Sequence, residues 1–190
     1  MNLREAIKKQ HDAAEAHPLT ALIMSGKMTP VIYHDMLCNL ACVYHAIETR
    51  ARLFGLLTDL SGIERIDAIN QDIAELRQQY NLQPPDSYES VWKHVAHVAS
   101  LNRDGVLAHM YVQHMGDMYG GQMLKSKLPG SGKRFEFTDR GQLVSNLRQL
   151  LTDDLGAEAC IAFEFTLDLF DDIANKHDLW SVGQNSEQPA

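Results

Sequence analysis

The stretch Tyr111-Val112-Gln113-His114-Met115-Gly116-Asp117-Met118-Tyr119-Gly120-Gly121-Gln122 sets three glycines inside what reads as one long helix, 104–128. Each interior glycine costs about 0.5–1 kcal/mol relative to alanine, so a helix that keeps three has a use for bare backbone. Gly116 and Gly120 are one turn apart and share a face, with Gly121 next to them. A flat or bulky ligand can lie against such a surface. A turn at Gly120-Gly121, or a close helix–helix contact, asks for the same residues.

The wider pattern resembles the distal-helix signature of the haem oxygenases, in which a Tyr-x-x-x-x-Gly-Asp-x-Ser-Gly-Gly-Gln run covers one haem face. Tyr111, Gly116, Asp117, Gly120, Gly121 and Gln122 fall in register, with Tyr119 where the family usually has serine. A second, distant element agrees. The family carries His-x-x-Ala-Glu in its first helix, with basic residues seven and three positions earlier. His11-Asp12-Ala13-Ala14-Glu15, Arg4 and Lys8 match it here.

Helical geometry suits that arrangement. Arg4, Lys8, His11 and Glu15 lie along one stripe, the cations about 10 and 4.5 Å along the axis from the histidine. A neutral imidazole can ligate haem iron while the cations reach propionates at the porphyrin edge, and Glu15 or a backbone carbonyl can orient the other ring nitrogen. One histidine among nine reads by itself as an ordinary surface residue, and two cations as a solvated face. The combination with the glycine helix is what carries the reading.

With 190 residues, 45% of them hydrophobic, the chain can bury on the order of 70% of its unfolded surface in one domain. A net charge of −8 argues against a nucleic-acid binder relying on a basic surface. Lys125, Lys127, Lys133 and Arg134 nevertheless cluster just beyond the glycine helix. Such a run is a solubilising surface or a docking patch for an acidic electron donor. Cys38, Cys42 and Cys160, in a chain without a secretory signal, suit a reducing cytoplasm. Cys38, Cys42 and His45 share a helix face, but three metal ligands without a fourth read more simply as buried thiols. No run approaches 18 consecutive apolar residues, so a soluble, cytoplasmic protein without a membrane-spanning tail is expected.

Punctuation along the chain predicts an all-α fold: helices over 3–16, 30–57, 62–80, from 86 or 87 onward, 104–128, 138–151 and 157–177. His17-Pro18 stops the first, Thr29-Pro30 caps the second, and Pro84-Pro85 closes the third link. Pro129-Gly130-Ser131-Gly132 is the clearest loop. The expected organisation is one haem-oxygenase-like helical bundle over 1–180 with a polar tail at 181–190.

The resemblance implies O2- and reductant-dependent cleavage of haem to biliverdin, CO and iron, with haem as both substrate and cofactor. It makes His11 the iron ligand, Arg4, Lys8 and Arg148 propionate partners, and Tyr111 a hydrogen-bond donor near a propionate. Gly116, Gly120 and Gly121 would form the close distal face. Asp117 would hold a water network that delivers protons gently, and Phe163 and Phe170 would be pocket walls. A ferredoxin or flavoprotein reductase would supply electrons. A haem carrier or sensor without turnover is the alternative. Three departures stand out: Tyr119 for serine, Val144 where many members have lysine, and Thr166 where some have asparagine. The Tyr119 phenol can donate a hydrogen bond, narrow the pocket or turn outward.

Overall fold

The computed structural model describes residues 3–181, and among these every regular element is helical. Residues 182–190 of the expected tail lie outside the described residues. The long helix α4 (Pro30–Leu53) is the axis of the fold, about 36 Å long from its 24 residues. Thr29 caps it by accepting from the Ile32 amide at 3.3 Å, and Pro30 sits at the first helical position, where a missing N–H costs nothing. It ends before Gly55, whose φ of 69° suits glycine, so the expected extension to 57 becomes a separate 3-10 turn, Leu56–Thr58.

Around α4 pack α5 (Ile66–Tyr80), α6 (Glu89–Ser100) and α7 (Arg103–Tyr119). The last long helix, α10 (Gly156–Lys176), packs against α6 and α7 on one side and against α1 (Leu3–Ala6), α2 (Lys8–Ala16) and α3 (Pro18–Met24) on another. All but one of the buried apolar side chains of the described residues, Ala162 being the exception, form one core cluster, running from Leu3 to Leu179. Between α7 and α10 come α8 (Gly121–Leu124) and α9 (Arg140–Leu150).

The expected first helix is interrupted at Ile7, with ψ near 2°, although the bonds Ile7 N–Leu3 O and His11 N–Ile7 O carry the chain through the bend. Leu3 and Ile7 are buried there. The sequence reading missed α3 altogether. His17 starts it: its Nδ1 accepts from the Leu19 amide at 3.1 Å, ahead of Pro18. Few pattern rules expect histidine as an N-cap.

The glycine helix also differs from its expected 104–128 course. Asn102 caps α7 through the Gly105 amide, and α7 breaks at Gly120 before α8 and a 3-10 turn at Lys125–Lys127. A second 3-10 turn, Lys133–Phe135, follows Gly132 at φ 65°. Asp72 of α5 pins this turn, accepting from the amides of Lys133 at 2.7 Å and Arg134 at 3.0 Å.

Candidate functional site

The helices α2 and α7 both rest on α10, and the residues expected to act lie largely along that arrangement. His11 is on α2 with a side chain 53% exposed, its ring edge-on to Phe163 of α10 at 6.0 Å. The Glu15 carboxylate lies 3.6 Å from Nδ1 of His11, one turn along the same helix. On α7, Gly116 is exposed, and a Cβ built there meets nothing within 4 Å; one at Gly120 meets only the Gly116 carbonyl oxygen, at 3.2 Å. The bare face inferred from sequence is therefore open at these two positions.

Tyr111, half-buried on the same helix, feels two cations. Burial pushes its hydroxyl pKa up, while Arg4 and Arg148 pull it down. Three of the four residues expected around the propionates thus fall in one neighbourhood. Lys8 is exposed and paired with Asp12 on its own helix, a weak surface pair that an anionic ligand can displace. Tyr119 is 52% exposed, with the Arg148 guanidinium 5.5 Å from its ring centroid. Its hydroxyl makes neither of the two side-chain bonds that Asp117 accepts.

Gly121 departs from expectation. It is buried, and a Cβ there would lie 2.2 Å from Cδ1 of Phe135. Its bare backbone admits the Phe135 ring, so it serves packing and not the open face. Phe170 has a ring partner of its own. Seven residues past Phe163, it sits two turns along α10, against His17 at 5.5 Å, in a cluster that continues to Trp180.

Asp117 is on α7 but turned inward, 4% exposed. Both its oxygens are engaged: the Tyr44 hydroxyl donates to Oδ2 at 2.7 Å, and Arg134 Nη2 donates to Oδ1 at 2.5 Å. Arg134 is itself 6% exposed. Burial pulls its guanidinium pKa down, but Asp117, Tyr44 and Tyr33 together hold it above the ordinary value. Burial first, then Asp117, raises the Tyr44 hydroxyl. The Tyr33 hydroxyl and Arg134 Nε, both buried, have no protein partner, which makes them natural anchors for water. Nearby on α7, Gln113 donates to Thr166 Oγ1 at 2.8 Å.

The cationic run is accordingly smaller than it reads. Arg134 faces the interior; Lys125 and Lys133 bracket Glu136 at 2.8 and 3.1 Å, and Lys127 donates to the Met24 carbonyl. A concavity of about 590 Å³ opens beside them, lined by Gln122, Lys125, Phe135, Glu136, Phe137, Thr138 and Arg140. It includes none of the residues around His11 and Gly116. Cys38, Cys42 and His45 form no metal cluster: Cys38 contacts His34 Nε2, Cys42 points to the Cys38 carbonyl, and His45 is exposed.

The described residues form an all-helical scaffold, with an exposed histidine on α2 and an exposed glycine on α7, both helices packed on α10. The chain belongs to the heme oxygenase family, whose model matches residues 1–142. It is 25% identical over 134 residues to "Heme oxygenase 1" of Nostoc sp., covering 65% of this chain and 56% of that protein. To "Heme oxygenase 1" of Synechocystis sp. it is 29% identical over 133 residues, covering 65% and 55%. The chain thus spans a little over half the length of these two relatives. The crystal structure of heme oxygenase-1 from Synechocystis in complex with heme shares its fold, with a TM-score of 0.76, 23% identity, and coverage of 95% of this chain and 93% of that one. Among the described residues no helix is long and apolar enough to cross a membrane.

Proposed function

We propose that this chain is a haem oxygenase: it binds haem as substrate and, with O2 and an external reductant, opens the ring to biliverdin, CO and iron. Residues 1–180 form the unit that does so. The observation that carries the reading is the open backbone at Gly116 and Gly120 on a helix that shares α10 with the His11 helix, within a chain of this family.

The residues fit the group. His11 Nε2 would hold the iron, with Glu15 orienting the ring. Arg4, Lys8, Arg148 and the Tyr111 hydroxyl would hold the propionates, and Phe163 would wall the ring beside His11. When bound, haem supplies the site at which O2 is activated and the ring carbon that is attacked. The protein supplies the rest. Gly116 and Gly120 allow the backbone to approach closely and limit the space above one ring face. Asp117 is turned away from that face, so it acts through water; Tyr44 and Arg134 fix its carboxylate, and Tyr33 and Arg134 Nε offer places for the waters that carry protons.

Electrons come from an acidic partner, a ferredoxin or a flavoprotein reductase. Lys125, Lys127 and Lys133 are its docking residues, with Arg134 removed from the set. Glu136 lies between two of them, so salt should slow the reaction only modestly.

Titration with haem, then addition of reductant in air, tests the reading. One haem per chain, a histidine-ligated spectrum lost in His11→Ala and restored by imidazole, and formation of biliverdin are expected. Stoichiometric haem that is never consumed, whatever the donor, would leave a haem carrier or sensor instead.

A further inference from the structure

A second cluster lies two to three turns before the glycines. His97 of α6, His109 of α7 and Glu158 of α10 converge from three helices, with all three potential ligand atoms within 4.8 Å of one another. Nε2 of His97 is 2.7 Å, and Nε2 of His109 2.9 Å, from the same Glu158 oxygen. We propose that His97, His109 and Glu158 are a three-ligand site for a divalent transition-metal ion, zinc fitting best, with water as the fourth ligand.

Two imidazole nitrogens and one carboxylate are a donor set that zinc accepts with a position left open. Ligands about 2.0–2.1 Å from a tetrahedral zinc lie roughly 3.3 Å apart. The two separations from Glu158 need widen by about half an ångström, and the two imidazole nitrogens, within 4.8 Å of each other, need settle at a similar distance, adjustments within the reach of side-chain rotation. The helices fix the three side chains before any ion arrives, so little ordering remains for binding to oppose. Entry is open as well: the side chains of His97 and Glu158 are 29% and 22% exposed, while His109 is closed to solvent.

His94 completes the site. Its Nε2 lies 2.9 Å from Nδ1 of His109, and its ring stacks on Phe165 at 4.6 Å and 7°. Metal-bound histidines are held by such a partner on the far nitrogen. The proton count balances. Without metal, His97 and His109 each donate from Nε2 to Glu158, and His94 donates to His109. With metal, His97 and His109 carry their protons on Nδ1, His109 donates to Nε2 of His94, and His94 is protonated on Nδ1. All three rings stay neutral and Glu158 stays ionised, so binding at neutral pH releases no proton.

The test uses the haem-free chain stripped of metal. Calorimetric titration with zinc should show one ion per chain and a zinc-dependent rise in melting temperature. Cobalt(II) in its place should give the intense visible bands of a tetrahedral site. His97→Gln and Glu158→Gln should weaken zinc by more than about tenfold, and His94→Gln by about 10- to 100-fold, while His11→Ala leaves it unchanged. The proposal fails if the unmutated chain binds no stoichiometric zinc, if cobalt shows only weak six-coordinate bands, or if binding survives in both His97→Gln and Glu158→Gln. The cobalt spectrum needs no variant, so a mutant that fails to fold does not blunt the result. Loss in His11→Ala alone would place the ion on the exposed His11, Asp12 and Glu15 group instead.

Discussion

Arg134 Nη2 lies 2.5 Å from Oδ1 of Asp117, and both side chains are closed to solvent. Breaking a buried pair from one side strands the other charge, at a cost of about 3–5 kcal/mol. Arg134→Met should lower unfolding stability by that amount at neutral pH. Adding Asp117→Asn should recover part of the loss, because the stranded carboxylate is then gone. Chemical denaturation of the two variants measures this, and additive losses would mean that the pair is not coupled.

The glycines separate into two kinds. Gly121→Ala forces a methyl against Phe135 at 2.2 Å, and overpacking of this sort costs about 1–3 kcal/mol; Phe135→Leu in the same chain should relieve it. Gly116→Ala meets nothing, so it should gain about 0.5–1 kcal/mol from helix propensity and still weaken haem binding. Melting curves and haem titration on the two alanine variants distinguish the roles. A destabilised Gly116→Ala would show that the face is already filled by the protein.

His94 makes acid stability predictable. Burial, then His109 and His97, push its pKa from the ordinary 6.5 down to about 3. Above pH 6.5 neither folded nor unfolded chain is protonated there, and the group costs nothing. As pH falls from 6.5 toward 3 the unfolded chain takes a proton that the native chain refuses, so stability falls by about 1.4 kcal/mol per pH unit for each such proton. His109, lowered in the same way by burial, adds to the slope. His94→Gln should flatten the dependence of unfolding stability on pH by up to one proton between about pH 5 and 6.5. An unchanged slope would mean that native His94 titrates normally.

Sequence made the local devices legible and the long-range ones not. Gly116 and Gly120 were readable because spacing within one helix decides which face they share. Arg134 was not, since Lys125, Lys127, Lys133 and Arg134 read as a solvated run; it is Asp72, 62 residues away, that pins its backbone and aims it inward. Gly121 shares the glycine signature, yet its partner Phe135 arrives from the next turn of chain. Phe170 shows the limit of periodicity: the i+7 rule keeps it on the Phe163 stripe but says nothing of distance along the helix, and His17 waits there. The cluster of His97, His109 and Glu158 joins three helices, a convergence that no single segment announces.

Two tyrosines near the glycine helix should behave in opposite ways. The Tyr44 hydroxyl donates to Asp117 Oδ2 at 2.7 Å from a buried position, so Tyr44→Phe removes one of the two groups that fix the carboxylate while leaving the haem-facing residues alone. Haem affinity should hold, and biliverdin formation should slow by about tenfold or more, part of the 10²–10⁴ that proton delivery contributes. Tyr119 is half-exposed beneath Arg148, and its hydroxyl makes neither of the two bonds Asp117 accepts. Tyr119→Phe keeps the ring under the guanidinium, so the rate and the biliverdin isomers should stay as they are. Single-turnover product analysis of both variants decides: a silent Tyr44→Phe beside an altered Tyr119→Phe would mean that the proton route runs over the surface of α7 and not through Asp117.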